Sequence, residues 1–241
     1  MGARTAASDP LTARPYAHRG LHGAGVPENS LAAARAAMAR GFGMECDVRL
    51  SRDGVPHVFH DARLDRMTQR TEPFHALDTG TIATLRLKGS DEPVPRLADL
   101  LALAGTTMPL LIEIKSDRGP RICARLCAAV ARELDGHPGT AAVMSFDPVV
   151  VRWFARHRPQ VRRGLVVSRR DRWRLLPGRG MVAAIASARP HFIACDVRDL
   201  PGAAALPARL GLPLLCWTVR TPAEKARAAA SGAQIIFEEQ P

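Results

Sequence analysis

Residues 109–167 read PLLIEIKSDRGPRICARLCAAVARELDGHPGTAAVMSFDPVVVRWFARHRPQVRRGLVV. Three short apolar runs, at 109–114, 141–146 and 162–167, alternate with two longer stretches of helical spacing, 120–134 and 148–158, each opened by a proline. Apolar runs of about six residues suit buried strands, and proline at the first position of a longer periodic segment suits the first turn of a helix. The same rhythm extends outward. Toward the amino terminus a run at 14–18 precedes a helix predicted over 30–40, capped by Asn29 or Ser30 and ended by Gly41. Toward the carboxyl terminus a run at 191–195 precedes a turn and short helix, and a run at 213–219 precedes a helix over 222–230, opened by Thr221 and Pro222. Strand followed by helix, repeated over this length, predicts an α/β fold with a parallel sheet, and right-handed crossovers let such units close into a TIM-type β/α barrel.

The chain has 241 residues, 46% hydrophobic and 24% charged, a composition that excludes disordered, collagen-like and coiled-coil classes. No internal repeat or low-complexity linker divides it, so residues 1–241 are expected to form a single domain. The stretch from about 62 to 95 has few periodic apolar residues and several breakers, and it reads as a short insertion outside the core. Charged residues interrupt every apolar run before the roughly 18 residues that a membrane-spanning helix needs. The first ten residues, with Arg4 and Asp9, lack the pattern of a secretory signal. The five cysteines are odd in number and sit mostly in apolar segments, as buried thiols do; Cys123 and Cys127 are four apart, but neither a second pair nor a nearby histidine completes a metal set. A cytoplasmic location is the expectation.

The net charge of +11 comes from 34 basic and 23 acidic residues. Only Lys88, Lys115 and Lys225 are lysines, so the excess is an arginine bias rather than a nucleic-acid footprint, and no recognition motif accompanies it. No nucleic-acid partner is expected. Seven arginines lie within 162–179, around Trp173, Leu175 and Leu176. That segment is either a solvated loop or a weak peripheral contact with anionic lipid.

In a β/α barrel, chemistry gathers at the carboxyl ends of strands, and three predicted strands end in ionisable residues. Glu45 and Asp47 stand two apart, so both carboxylates point to one side of the chain. Such a pair is either a solvated strand face or a site for a hard divalent ion, and the flanking Phe42, Met44, Val48 and Leu50 indicate a buried strand. Beyond Leu50, the Asp53-Gly54 pair signals a hairpin. If these two are the whole loop, the ladder sets His60 opposite Asp47. Glu113 and Lys115 repeat the two-residue spacing, as a plain salt bridge or as groups that serve a ligand. The strand at 14–18 closes on His18-Arg19-Gly20, where the arginine offers a planar fork suited to phosphate oxygens.

Together these segments resemble the glycerophosphodiester phosphodiesterases. The resemblance is carried in order by His18-Arg19-Gly20, Pro27-Glu28-Asn29-Ser30, Glu45-x-Asp47-Val48, Asp53-Gly54-Val55-Pro56, His60-Asp61, Leu64-Asp65-Arg66-x-Thr68, Glu113-Ile114-Lys115, Ser145-Phe146-Asp147 and Trp217-Thr218-Val219. It implies a barrel like that of phosphatidylinositol-specific phospholipases C, and metal-dependent hydrolysis of glycerophosphodiesters to sn-glycerol 3-phosphate and an alcohol. By the same resemblance His18 and His60 are the acid/base pair, and Glu45, Asp47 and Glu113 ligate a divalent metal, Mg or Ca. Arg19, Lys115 and Glu28 then belong to the phosphate site, and Trp217 lines the glycerol side of a small-molecule pocket. Within the same frame stand a lysophospholipase D acting on lysophospholipids and a non-catalytic barrel that binds phosphodiesters. One departure is plain: the family commonly ends on a strand reading Gly-Ile-Ile-Thr-Asp-x-Pro, whereas this chain reads Ile235-Ile236-Phe237-Glu238-Glu239-Gln240-Pro241.

Overall fold

The computed structural model describes residues 10–116, 119–168 and 179–239. Eight parallel strands form a closed barrel: β1 (Tyr16–His18), β2 (Gly43–Leu50), β4 (Leu110–Ile114), β5 (Ala141–Ser145), β6 (Arg162–Val167), β7 (Phe192–Asp196), β8 (Leu214–Val219) and β9 (Gln234–Phe237). Closure is achieved at β1, which pairs with β2 on one side and β9 on the other. β3 (Pro56–Val58) folds back antiparallel on β2 as a hairpin.

The predicted helices are present. α1 (Leu31–Ala39) is capped by the Ser30 hydroxyl, which accepts from the Ala33 N–H. α4 (Pro120–Leu134) and α5 (Pro148–His157) each carry proline in the first turn, and Asp147 caps α5. α8 (Pro222–Ala230) opens with a reciprocal capping box between Thr221 and Glu224. The sequence reading assigned nothing to α3 (Leu97–Ala104), which buries Leu97, Leu100 and Leu101 in the layer between barrel and helices. It starts directly after the breaker-rich insertion, so its single apolar face had no clear left-hand boundary in the sequence.

The insertion between β3 and α3 has its own small apolar centre. Phe59, Leu64, Phe74, Ile82, Leu87 and Val94 are buried together there, with Phe59 stacked on Phe74 at 5.0 Å between ring centroids. These residues are spaced irregularly because they come from loops, the 3-10 turn Phe74–Ala76 and the short α2 (Thr79–Ala83), which is why periodicity did not reveal them.

Inside the barrel, Tyr16, Leu111, Phe192, Leu215 and Ile236 form a closed apolar floor. The two rings need room, and glycines supply it. A Cβ at Gly43 would stand 2.6 Å from the Tyr16 ring, and one at Gly164 would stand 2.1 Å from that of Phe192. All five cysteines are buried free thiols, as their apolar settings indicated. Among the described residues no helix is long and apolar enough to cross a membrane. Trp173, Leu175, Leu176 and most of the arginine-rich segment lie outside the described residues.

Candidate active site

Three carboxylates meet above the floor. Glu45 and Asp47 project inward from β2, and Glu113 does so from the neighbouring β4, where it pairs in register with Asp47. All three are buried, and one oxygen of each lies within 4.8 Å of the others. Oxygens sharing one divalent ion stand no more than about 5 Å apart, so this set matches the size of a single hard cation.

The charge balance supports the same reading. Lys115 bridges two members of the triad, its Nζ 2.7 Å from Asp47 Oδ1 and 2.5 Å from Glu113 Oε1. Burial disfavours ionisation of Asp47, yet Lys115 and Arg19 outweigh it and hold its carboxyl well below the usual carboxylate range. At Glu45 the nearby His18 and Arg19 do not outweigh the opposing effects. Burial first, and then the charge of Asp47, push its carboxyl up to about 8. Its Oε2 accepts from the Arg19 backbone N–H at 3.1 Å, whereas its buried Oε1 has no hydrogen-bond partner. An unpartnered carboxylate oxygen inside an acidic triad is what a divalent cation would satisfy.

The basic groups approach from the first strand and its loop. Arg19 adopts φ 57° and Gly20 φ 81°, which turns the chain sharply out of β1. Gly20 also lies so close to α1 that a Cβ there would meet Ala33 Cβ at 2.7 Å. This turn directs Arg19 Nε to within 3.3 Å of Asp47 Oδ2, while its Nη1 donates to Glu28 Oε1 at 2.9 Å. Glu28 in turn receives Arg66, which also donates to Asp61 at 2.6 Å.

His18 and His60 line one pocket with Glu45 and Glu113 of the triad. His18 Nε2 is 3.8 Å from Glu45 Oε2, and its Nδ1 is held by Glu238 Oε1 at 2.5 Å. Burial opposes protonation of His18, but Glu238 and Glu45 outweigh it and raise its pKa. His60 Nδ1 is held by Asp61 at 2.6 Å, and burial, the largest influence on it, lowers its pKa. The hairpin register needs correction. Ser51 N–H bonds to Val55 C=O and Val48 pairs with Val58, so the loop has three residues, Arg52, Asp53 and Gly54, and Phe59 rather than His60 stands opposite Asp47. The Phe59 N–H still bonds to Asp47 C=O at 2.9 Å, and His60 reaches the site because the chain leaves the ladder after Phe59, where Arg49 Nε clamps the His60 carbonyl at 2.7 Å.

Trp217, at the end of β8, packs edge-to-face on Phe146 at 5.4 Å between centroids and lines the pocket, whose volume is about 390 Å³. All nine residues singled out in the sequence thus fall at one end of the barrel. Four further groups, Asn29, Asp61, Arg66 and Glu238, were not assigned a place in the site. Asn29 clasps Asp47, its Nδ2 donating to Oδ2 at 2.9 Å and its Oδ1 accepting from the Asp47 N–H at 3.3 Å. Asp61 and Arg66 back His60. Asn29, Asp61 and Arg66 lie in the motifs that carried the resemblance, which was the available signal. Glu238 lies where this chain departs from those motifs, so no pattern pointed to it.

Comparison with known proteins bears on the fold and the family. The model of the glycerophosphoryl diester phosphodiesterase family matches residues 18–241. A Mycobacterium tuberculosis protein named probable glycerophosphodiester phosphodiesterase 1 is 44% identical over 85 residues, 34% of this chain and 30% of that one. The human glycerophosphodiester phosphodiesterase 1 is 38% identical over 96 residues, 36% of this chain and 28% of the relative. The chain therefore aligns with about a third of the length of these curated relatives. Among solved structures, a glycerophosphodiester phosphodiesterase from Agrobacterium tumefaciens superposes with a TM-score of 0.70 at 25% identity, covering 93% of this chain and 94% of its own. An Oleispira antarctica phosphodiesterase, solved with the product sn-glycerol-3-phosphate, superposes with a TM-score of 0.82 at 21% identity, covering 95% and 93%. A family match over nearly the whole chain, on a closed β/α barrel, places this chain in the glycerophosphoryl diester phosphodiesterase family.

Proposed function

We propose that this chain hydrolyses glycerophosphodiesters to sn-glycerol 3-phosphate and an alcohol, using a divalent cation held by Glu45, Asp47 and Glu113. The observation that carries the reading is the meeting, in one pocket, of a buried acidic triad, two basic side chains and two carboxylate-backed histidines. The names of the relatives, and the product in the Oleispira antarctica neighbour, support the substrate class.

A divalent cation at the triad would offset the charge that grows on the phosphoryl oxygens. Arg19 and Lys115 reach the rim of the triad from two sides, where they meet the same oxygens and hold the phosphate in line. Glu28 braces Arg19 and so fixes its fork. Because both histidines are held through Nδ1, each turns its Nε2 to the pocket. One Nε2 takes a proton from the attacking oxygen and the other gives a proton to the departing alkoxide. The paired rings of Trp217 and Phe146 form an apolar wall against which the glycerol carbons rest. A pure binding barrel has no use for two oriented proton-transfer groups, which favours catalysis over passive recognition.

The deciding experiment incubates the purified protein with glycerophosphocholine and glycerophosphoethanolamine, with Mg or Ca and with chelator, and measures glycerol 3-phosphate. Metal-dependent release is the expected result. No release from either substrate overturns the reading; release of lysophosphatidic acid from lysophosphatidylcholine instead would mark a lysophospholipase D.

A further inference from the structure

The last strand ends unusually for this family, and its end touches the chemistry. Ile236 of β9 is buried in the barrel floor, and alternation along the strand sends Glu238 to the same interior side, one step nearer the pocket. Counting back from Pro241, Glu238 stands where the family pattern has threonine. The Glu238 N–H bonds to Val219 C=O at 3.0 Å, which ties this residue to the end of β8. Its two carboxylate oxygens then do different things. Oε1 meets His18 Nδ1 at 2.5 Å, and Oε2 accepts from Arg220 Nε at 2.6 Å. A threonine hydroxyl is a single atom on a short arm and cannot serve both partners.

We propose that Glu238, braced by Arg220, is a positioning residue that keeps the proton of neutral His18 on Nδ1 and turns Nε2 to the acidic triad. An ionised carboxylate only accepts hydrogen bonds, so the nitrogen facing it must carry the hydrogen. The free lone pair is then on Nε2, 3.8 Å from Glu45 Oε2, at the centre of the pocket. Arg220 makes this arrangement directional. Its guanidinium can only donate, so the atom of residue 238 that stays against Arg220 Nε must be an acceptor. This role rests on the catalytic reading above, but the position of the proton does not depend on turnover.

The consequence is specific. In Glu238→Gln the amide oxygen turns to Arg220 and the NH2 group faces His18, which forces the proton of the neutral ring to Nε2 and removes the lone pair that faced the pocket. The double variant Glu238→Gln with Arg220→Ala frees the amide to turn over, so that its oxygen again accepts from Nδ1.

Two measurements test this. The first is kinetics on glycerophosphocholine with Mg, alongside circular dichroism to confirm folding. Glu238→Gln is expected to lose about 100-fold or more in kcat at nearly unchanged KM, as misplacing the proton of a catalytic histidine does elsewhere. The double variant is expected to recover about tenfold over Glu238→Gln. The second is nitrogen-15 NMR of ring-labelled protein, with His18→Gln used to assign His18. Wild type should show neutral His18 protonated at Nδ1, and Glu238→Gln should show it at Nε2. A double variant no faster than Glu238→Gln, or wild-type His18 protonated at Nε2, overturns the proposal. If the wild type turns over no glycerophosphodiester, the functional reading fails while the NMR result still decides the placement of the proton. If Glu238→Gln does not fold, the wild-type spectrum decides alone.

Discussion

Asn29 and Asp47 hold each other from both ends: the amide donates to the carboxylate and accepts from the backbone N–H of the same residue. Partners of this kind set the orientation of a metal-ligating carboxylate, and losing them typically lowers metal affinity about 10–100-fold. Asn29 has φ 57°, so glycine, which tolerates that backbone, is the cleaner replacement than alanine. Asn29→Gly is expected to weaken the binding of Mn, measured by calorimetric titration, by about tenfold or more. Unchanged affinity would show that Asp47 keeps its orientation without Asn29.

His18→Ala and His60→Ala should each lower kcat by about 10²–10⁴-fold, the range for loss of one proton-transfer group. Circular dichroism and metal titration should be close to wild type, because neither ring belongs to the triad. A near-normal rate for either variant removes that histidine from the reaction.

Saturating divalent cation should raise the melting temperature, since an ion present at about 100 times its dissociation constant adds about 2.7 kcal/mol. Glu45→Gln removes one ligand and replaces a carboxyl whose ionisation burial and Asp47 already oppose with a neutral isostere. In chelator it should therefore melt no lower than wild type, and on adding metal it should show little of the rise. A full rise in this variant would exclude Glu45 as a ligand. A similar result for Asp47→Asn and Glu113→Gln would place the cation elsewhere.

His57, away from the triad, imposes a pH dependence on stability. It sits in the middle of β3, 1% exposed and 6.0 Å from the Phe74 ring of the insertion, and burial, its main influence, lowers its pKa from 6.5 to about 4. In the unfolded chain it takes up a proton near pH 6.5, whereas the folded protein resists until about pH 4. The unfolded state thus binds more protons across that window, so stability is complete above pH 6.5 and falls as the pH drops toward 4. The loss approaches about 3 kcal/mol at its limit. Urea unfolding of wild type and His57→Gln at pH 7 and pH 4.5 should differ by about 2 kcal/mol in their pH response. Parallel responses would show that His57 is protonated freely in the folded state.

Much of this site was legible because barrels place strand ends together and strands alternate their side chains. Glu45 with Asp47 and Glu113 with Lys115 could be paired from spacing alone. What spacing could not give was the distance between the two pairs, which depends on β2 and β4 lying side by side. The position of His60 was right for a reason the sequence concealed: the ladder is one residue out of the expected register, and the ring reaches the pocket only because the strand has already ended. The core of the insertion was hidden because its members, Phe59, Phe74 and Ile82 among them, come from irregular backbone that has no period. Glu238 was beyond pattern reading altogether, since its partners lie 220 and 18 residues away in the chain.

The rings of Tyr16 and Phe192, seated over glycines, stopper the lower end of the barrel. The pocket of His18, Glu45 and Glu113 consequently stands on a sealed base, and a ligand that sinks into it must leave by the way it came. On the proposed function, spent phosphate ester and fresh diester occupy the same chamber, so added sn-glycerol 3-phosphate should inhibit competitively with the diester.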